Sequence, residues 1–143
     1  VVGAPVAELW DPCSLPAEVL EGVGMYTGVV DSSTFDNRQN EWRFCTFGND
    51  WAFLTIFSTT TSYDAVASDP RSTNAAPIND LATPAIQFEI PELSSTPSCY
   101  VTVERGFGAV QFNVSERSTA SPPEEVCPAA RAAAKALIGK VPG

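Results

Sequence analysis

Four cysteines, seventeen acids and no histidine make up the reactive inventory of this 143-residue chain. Without histidine there is no imidazole base for a Ser–His–Asp or Cys–His centre, and no zinc site that needs a histidine ligand. A four-cysteine zinc site wants close pairs such as C-x-x-C. Here Cys13, Cys45, Cys99 and Cys127 are each 28 or more residues from the next. That spacing suits two disulfides, for which four cysteines allow three pairings. The acids supply many neighbours, but Glu124-Glu125 reads as charge at a helix start. Glu8 and Asp11 could meet Asp31 or Asp36, yet no D-x-[DN]-x-[DN]-G calcium loop is present. The two lysines, Lys135 and Lys140, lie on or beyond the last predicted helix. No catalytic residue, metal or cofactor is expected.

The bulk properties bound the rest. Net charge is −9, with a pI near 4.3. Such a surface repels nucleic acid and anionic headgroups, which excludes nucleic-acid binding as a main function. Residues 1–37 hold six acids and no base. This reads as a solvated acidic surface, with a basic partner or a divalent cation as the sharper alternative. No stretch approaches the roughly 20 apolar residues of a membrane span. The chain starts at Val1, which is read as a processed product whose targeting segment is absent. An even cysteine count, few lysines and many Ser, Thr and Pro fit an exported protein.

Certain elements must position these residues in one domain, 1–143, with residues 1–10 extended. Pro16 opens a short helix at its first turn, with Glu18 at the positive end and Gly22 and Gly24 ending it. Val19, Leu20 and Val23 face inward. A short strand is expected near Gly28–Val30. EWRFCTFGNDWAFLTIFSTT reads as a hairpin around Gly48-Asn49-Asp50. A three-residue loop puts Trp42, Phe44, Leu54 and Ile56 on one side, and Cys45, Phe47, Trp51 and Phe53 on the other. A two-residue loop would also close. With both sides apolar, the pair is central in its sheet, and Trp42, Phe44, Phe47, Trp51 and Phe53 read as core, with a ligand platform as the alternative. Ser58–Pro84 is polar, with one short helix over Tyr63–Ser68. Ala85–Ile90 alternates as a strand.

The clearest local signal is CYVTVERGFGAVQFNV. A two-residue turn at Gly106-Phe107 sets Val103 opposite Val110, Val101 opposite Phe112 and Cys99 opposite Val114. Glycine at the first turn position fits type II′. Phe107, at the tip, cannot bury inside its own hairpin. It covers a neighbouring loop or meets a partner. At the C-terminus Ser121 and Glu124 have capping-box spacing around Pro122. Val126, Ala130, Ala133, Leu137 and Ile138 form an apolar stripe, and Gly139 is the expected C-cap. The sequon Asn113–Ser115 lies inside a predicted strand, which argues against glycosylation.

DPCSL at Asp11–Leu15, a P-x-E helix start, WRFCTF, CYVTV and EEVCPAARAAAKAL together resemble a family of actinobacterial exported lipoproteins of unknown function. The resemblance covers most of Asp11–Leu137, with little in Ser58–Pro84. This chain departs from the pattern between Leu15 and Pro16, where it lacks a threonine cap, and carries Phe47 where tryptophan is common. The resemblance implies a domain anchored outside the membrane by a lipidated cysteine upstream of Val1. It implies no catalytic site. A looser likeness to cysteine-bridged sensor domains of mycobacterial kinases is a fold analogy only.

The fold expected is α+β: an antiparallel sheet of about five strands, with N- and C-terminal helices packed on it. Pairing Cys13 with Cys45 and Cys99 with Cys127 ties each helix start to a strand without crossing. The function expected is a non-enzymatic envelope module that binds another envelope or membrane protein, as an accessory subunit of a membrane complex. Ser58–Pro84 is the docking loop, with Tyr63, Arg71 and Phe107 as candidate contacts. The alternative is a carrier of a small apolar ligand or lipid, and a third class is a carboxylate hydrolase. Docking calls for an exposed apolar patch around loops. Carriage calls for an apolar cavity.

Overall fold

The computed structural model describes residues 9–26, 28–37, 40–93, 95–117 and 125–142. The capping box at Ser121 and Glu124, and most of the extended segment 1–10, lie outside them. The fold is α+β. Seven antiparallel strands form one sheet in the order β1-β2-β3-β7-β6-β5-β4. They span Asp31–Asn37, Asn40–Gly48, Ala52–Thr59, Thr73–Pro77, Ala85–Glu89, Ser98–Arg105 and Gly108–Glu116, numbered β1 to β7. Three helices accompany them: α1 (Ala17–Glu21), α2 (Tyr63–Ala67) and α3 (Val126–Leu137).

Two strands escape a reading by pattern, which is why five were expected. β1 begins at Asp31, and Val29 and Val30 before it are exposed. It is an edge strand, D-S-S-T-F-D-N, and one-sided pairing does not demand an apolar run. β4 sits at the opposite edge with all five residues exposed. A register shift, Pro77 and a positive φ of 54° at Asn74 make it a poor template for further pairing. Ser58–Pro84 is therefore not a wandering loop. It ends β3, forms α2, and returns along β5 as β4.

The β6–β7 hairpin has the register its alternation demands, with Val103 opposite Val110, Val101 opposite Phe112 and Cys99 opposite Val114. These six residues are buried on one face. The turn is not type II′. The positive φ, +147°, belongs to Gly108 and not to Gly106. A Cβ at Gly108 would meet the Thr59 carbonyl oxygen at 2.3 Å and that of Thr61 at 2.7 Å.

The β2–β3 faces are those of an even-numbered loop, as the two-residue alternative has it, and not those of the three-residue loop. Phe47 pairs with Leu54 and Cys45 with Ile56. Cys45, Phe47, Leu54 and Ile56 thus share the core face, while Trp42, Phe44, Phe53 and Phe57 share the other. The reason is the turn. Asn49 donates its backbone N–H to the Ala52 carbonyl at 3.0 Å. Its Oδ1 accepts from the N–H groups of Trp51 and Ala52 at 3.0 and 2.8 Å. These bonds fix the turn so that Gly48 pairs with Phe53, an even count between the paired ends, and a one-residue change in that count exchanges the faces of a strand.

On the core face, α3 lies across β6 and β7 with Val126, Ala130, Ala133, Ala134 and Leu137 buried. Alanines let its backbone approach the sheet closely. Ile138–Lys140 tightens into a 3-10 turn, so Gly139 lies inside that turn instead of capping the helix. Pro16 is the N-cap of α1, one place earlier than expected, and Leu20 is buried with Val19 and Val23 partly so. Disulfides Cys13–Cys45 and Cys99–Cys127 have Cα separations of 5.3 and 5.1 Å. Each fastens the start of a helical segment to a strand beneath it.

Candidate functional site

With α1 and α3 on one face, the other face of the sheet takes the second set of alternating residues. Strand pairing orders it into rows. One row runs Phe44, Phe57, Gln111, Thr102, Ile86, and the next runs Thr55, Asn113, Tyr100, Phe88. Two aromatic groups result. Phe57 meets Trp42 edge-on, with centroids 6.2 Å apart, and Phe44 at 5.7 Å. Phe88 and Tyr100 stack at 5.6 Å with 8° between planes. Phe88, Ile90 and Tyr100 form a second small core, with Phe57 and Ile86 packed against it. Gln111 lies between the two groups.

α2 packs over β6 and β7 on this same face. Its start is fixed by Ser62, whose Oγ accepts the Ala65 N–H at 3.2 Å. Val66 then buries against the sheet. The helix is one and a half turns long and covers only part of the face. What remains is a half-open cleft of about 390 Å³ between sheet, α2 and the 3-10 turn Pro91–Leu93. Trp42, Phe57, Phe88 and Tyr100 line the sheet side, Ala65 and Val66 the helix side, and Ile90 and Leu93 the far wall. Such an aromatic hollow with few polar groups has the size and character of a small-molecule site.

Those polar groups are Thr61, Gln111, the Tyr100 hydroxyl and an Asp69–Arg71 pair. Arg71 donates from Nε to Asp69 Oδ1 at 3.0 Å and from Nη2 to Oδ2 at 2.6 Å, and its backbone N–H adds a third bond at 2.9 Å. This fork holds the Asp69 carboxyl below the usual carboxylate range and raises Arg71. Burial pushes the Tyr100 hydroxyl up, with Arg71 lowering and Asp69 raising it in smaller measure.

Of the candidate contacts, Arg71 alone lines this cleft. Tyr63 is half-buried at the start of α2, its hydroxyl raised by burial and then by Glu104 and Asp64. Phe107 packs against the main core. The four cysteines are in disulfides. Asn113 of the sequon is buried, its Nδ2 donating to Ser98 Oγ at 2.7 Å and the Cys99 carbonyl at 3.2 Å. Glu8 and the Asp36 side chain lie outside the described residues.

Sequence reasoning singles out Trp42 but misses Phe57, Phe88, Tyr100 and Gln111 beside it. Trp42 and Phe44, expected in the core with a ligand platform as the alternative, are half-buried on the second face. The available signal was period two in FLTIFSTT, where Phe53, Thr55 and Phe57 oppose Leu54 and Ile56. With the turn length unknown, it did not say which set faced the helices.

Over residues 2–140 the chain matches the family described as "Protein of unknown function (DUF3558)", and it belongs to that family. No curated protein and no solved structure matches it.

Proposed function

We propose that this family member is a non-enzymatic, exported envelope module that holds a small apolar ligand in the cleft beneath α2. One observation carries the reading: the second sheet face is rich in aromatic residues, and among the described residues a short helix and the Pro91–Leu93 turn shield only part of it. Burying an aromatic side chain is worth on the order of 2 kcal/mol, so an apolar ligand that covers the half-exposed rings of Trp42 and Phe57 would gain from each. The two disulfides fit an oxidising compartment outside the cytoplasm. Attachment through a lipidated cysteine upstream of Val1 belongs to the same proposal.

A second reading rests on the cleft's openness and on the exposed residues of β4 beside it. Here Ser58–Pro84 docks another envelope or membrane protein, and this chain is an accessory subunit of a membrane complex. The two readings separate in one titration. Adding 1-decanol to the isotope-labelled chain should shift the amides of Phe57, Phe88, Tyr100 and Gln111. Ala65→Trp, which fills the cleft from its rim, should abolish those shifts and leave the melting temperature unchanged. Shifts scattered over the surface, or undiminished by Ala65→Trp, would refute the small-ligand reading.

A further inference from the structure

Gln111 stands on the sheet floor of the cleft, opposite Phe57 on β3 and Thr102 on β6. It is 7% exposed and lines the cleft. Its carboxamide has two donor hydrogens and an acceptor oxygen, and among the described residues it makes no hydrogen bond. The Thr102 hydroxyl beside it is wholly buried and also has no partner, so it does not tie Gln111 down. Asn113, two residues along the same face, shows the usual outcome. Its Nδ2 donates to Ser98 Oγ and the Cys99 carbonyl, and its Oδ1 accepts from Ser115 Oγ at 3.0 Å. Buried polar groups are nearly always bonded, so an exception that faces a cavity calls for a partner from within it. The charged groups narrow that partner. Asp69 and Arg71 are the charged residues of the described lining, and they are bound to each other. An ionised head would lose its water there without gaining a free counter-charge.

Resting on the small-ligand reading, we infer that the cleft selects neutral apolar molecules that carry a carboxamide, which pairs amide to amide with the Gln111 side chain. Gln111 Nε2 donates to the ligand carbonyl, and Gln111 Oε1 accepts from the ligand N–H. The hydrocarbon body lies against Phe57, Ile90 and Leu93. No covalent step is involved.

The test titrates octanamide, methyl octanoate, octanoate and octylammonium into the isotope-labelled full chain at neutral pH. Backbone N–H signals of Phe57, Phe88 and Tyr100 report the site, and Ala65→Trp identifies surface adsorption. Octanamide should bind more tightly than either ion. The ester enters any apolar site more readily, so its measure is the response to Gln111→Leu. That substitution replaces an unbonded amide by an apolar group of similar size, and should leave the melting temperature unchanged or raised. It should weaken octanamide roughly five- to fiftyfold, the span of two neutral hydrogen bonds, and methyl octanoate, which offers no donor, by at most about threefold. Gln111→Met should repeat the pattern with an unbranched side chain. Acetyl-leucyl-leucinamide carries the same group on a peptide, and whichever of it and octanamide binds more tightly tells a peptide end from an acyl amide.

Equal losses for octanamide and the ester in both Gln111 variants overturn the amide pairing and leave the small-ligand reading standing. No loss for octanamide, the result if water alone serves Gln111, overturns it equally. Either ion binding more tightly than octanamide overturns the preference for a neutral group. If no compound moves the cleft signals, the small-ligand reading falls too.

Discussion

Phe88 and Tyr100 sit directly opposite one another on β5 and β6, their rings 5.6 Å apart and nearly parallel. The pair closes one end of the cleft and forms the centre of the smaller core. Phe88 is only 1% exposed, so Phe88→Ala should cost about 3–5 kcal/mol. Denaturant melts measure this. A loss below about 1 kcal/mol would mean that the second face contributes little to the fold.

Gly108 meets two constraints at once, a φ of +147° and a carbonyl oxygen where a Cβ would stand. Gly108→Ala should destabilise the protein by about 2 kcal/mol or more, since neither constraint can be relieved without moving the end of β3. Thermal melts with a Gly106→Ala control check it. Gly106 has no positive φ, and its substitution should cost distinctly less.

Asn49 organises the turn that sets the β2–β3 register. Besides its Oδ1 acceptances, its Nδ2 donates to the Gly24 carbonyl at 3.1 Å. Asn49→Ala leaves the buried Ala52 N–H without that acceptor, and should cost about 2–3 kcal/mol. Equilibrium unfolding gives the value, and Asn49→Asp, which keeps the acceptor oxygen, should recover part of it.

The disulfides close loops of 32 and 28 residues. Each should stabilise the chain by about 3.5 kcal/mol in the loop-entropy model. Replacing Cys99 and Cys127 together by serine should lower stability by that order while Cys13–Cys45 still forms, as non-reducing peptide mapping would show. A Cys13–Cys127 peptide from the native chain would contradict the pairing.

Asn113 matches a glycosylation sequon but spends its amide inside the sheet. Secretion from a glycosylating host should yield the unmodified mass. Glycosylated material that still folds would show that this end of β7 opens.

Local chemistry was legible wherever neighbours in sequence are neighbours in space. The β6–β7 register followed from alternation about a two-residue turn, because one wrong step would have exposed six apolar residues. The apolar stripe of α3 followed from its period, and the cysteine pairing from the need to tie helix starts to strands. The α+β class followed from these elements together. What the sequence could not decide was set by partners distant in the chain. β1 and β4 are strands because β2 and β5 offer them hydrogen bonds, not because their own residues alternate. Gly108 is constrained by the end of β3, nearly fifty residues earlier, which no local turn rule contains. The cleft is the clearest case. Trp42 and Phe57 come from one hairpin, Phe88 and Tyr100 from two later strands, and Val66 and Arg71 from the segment between. Each set is amphipathic in its own strand, and pattern shows only that such a strand has two faces. Which face takes α1 and α3 was decided by the Asn49 turn and the disulfides, and the face left over, partly roofed by α2 among the described residues, holds the candidate site.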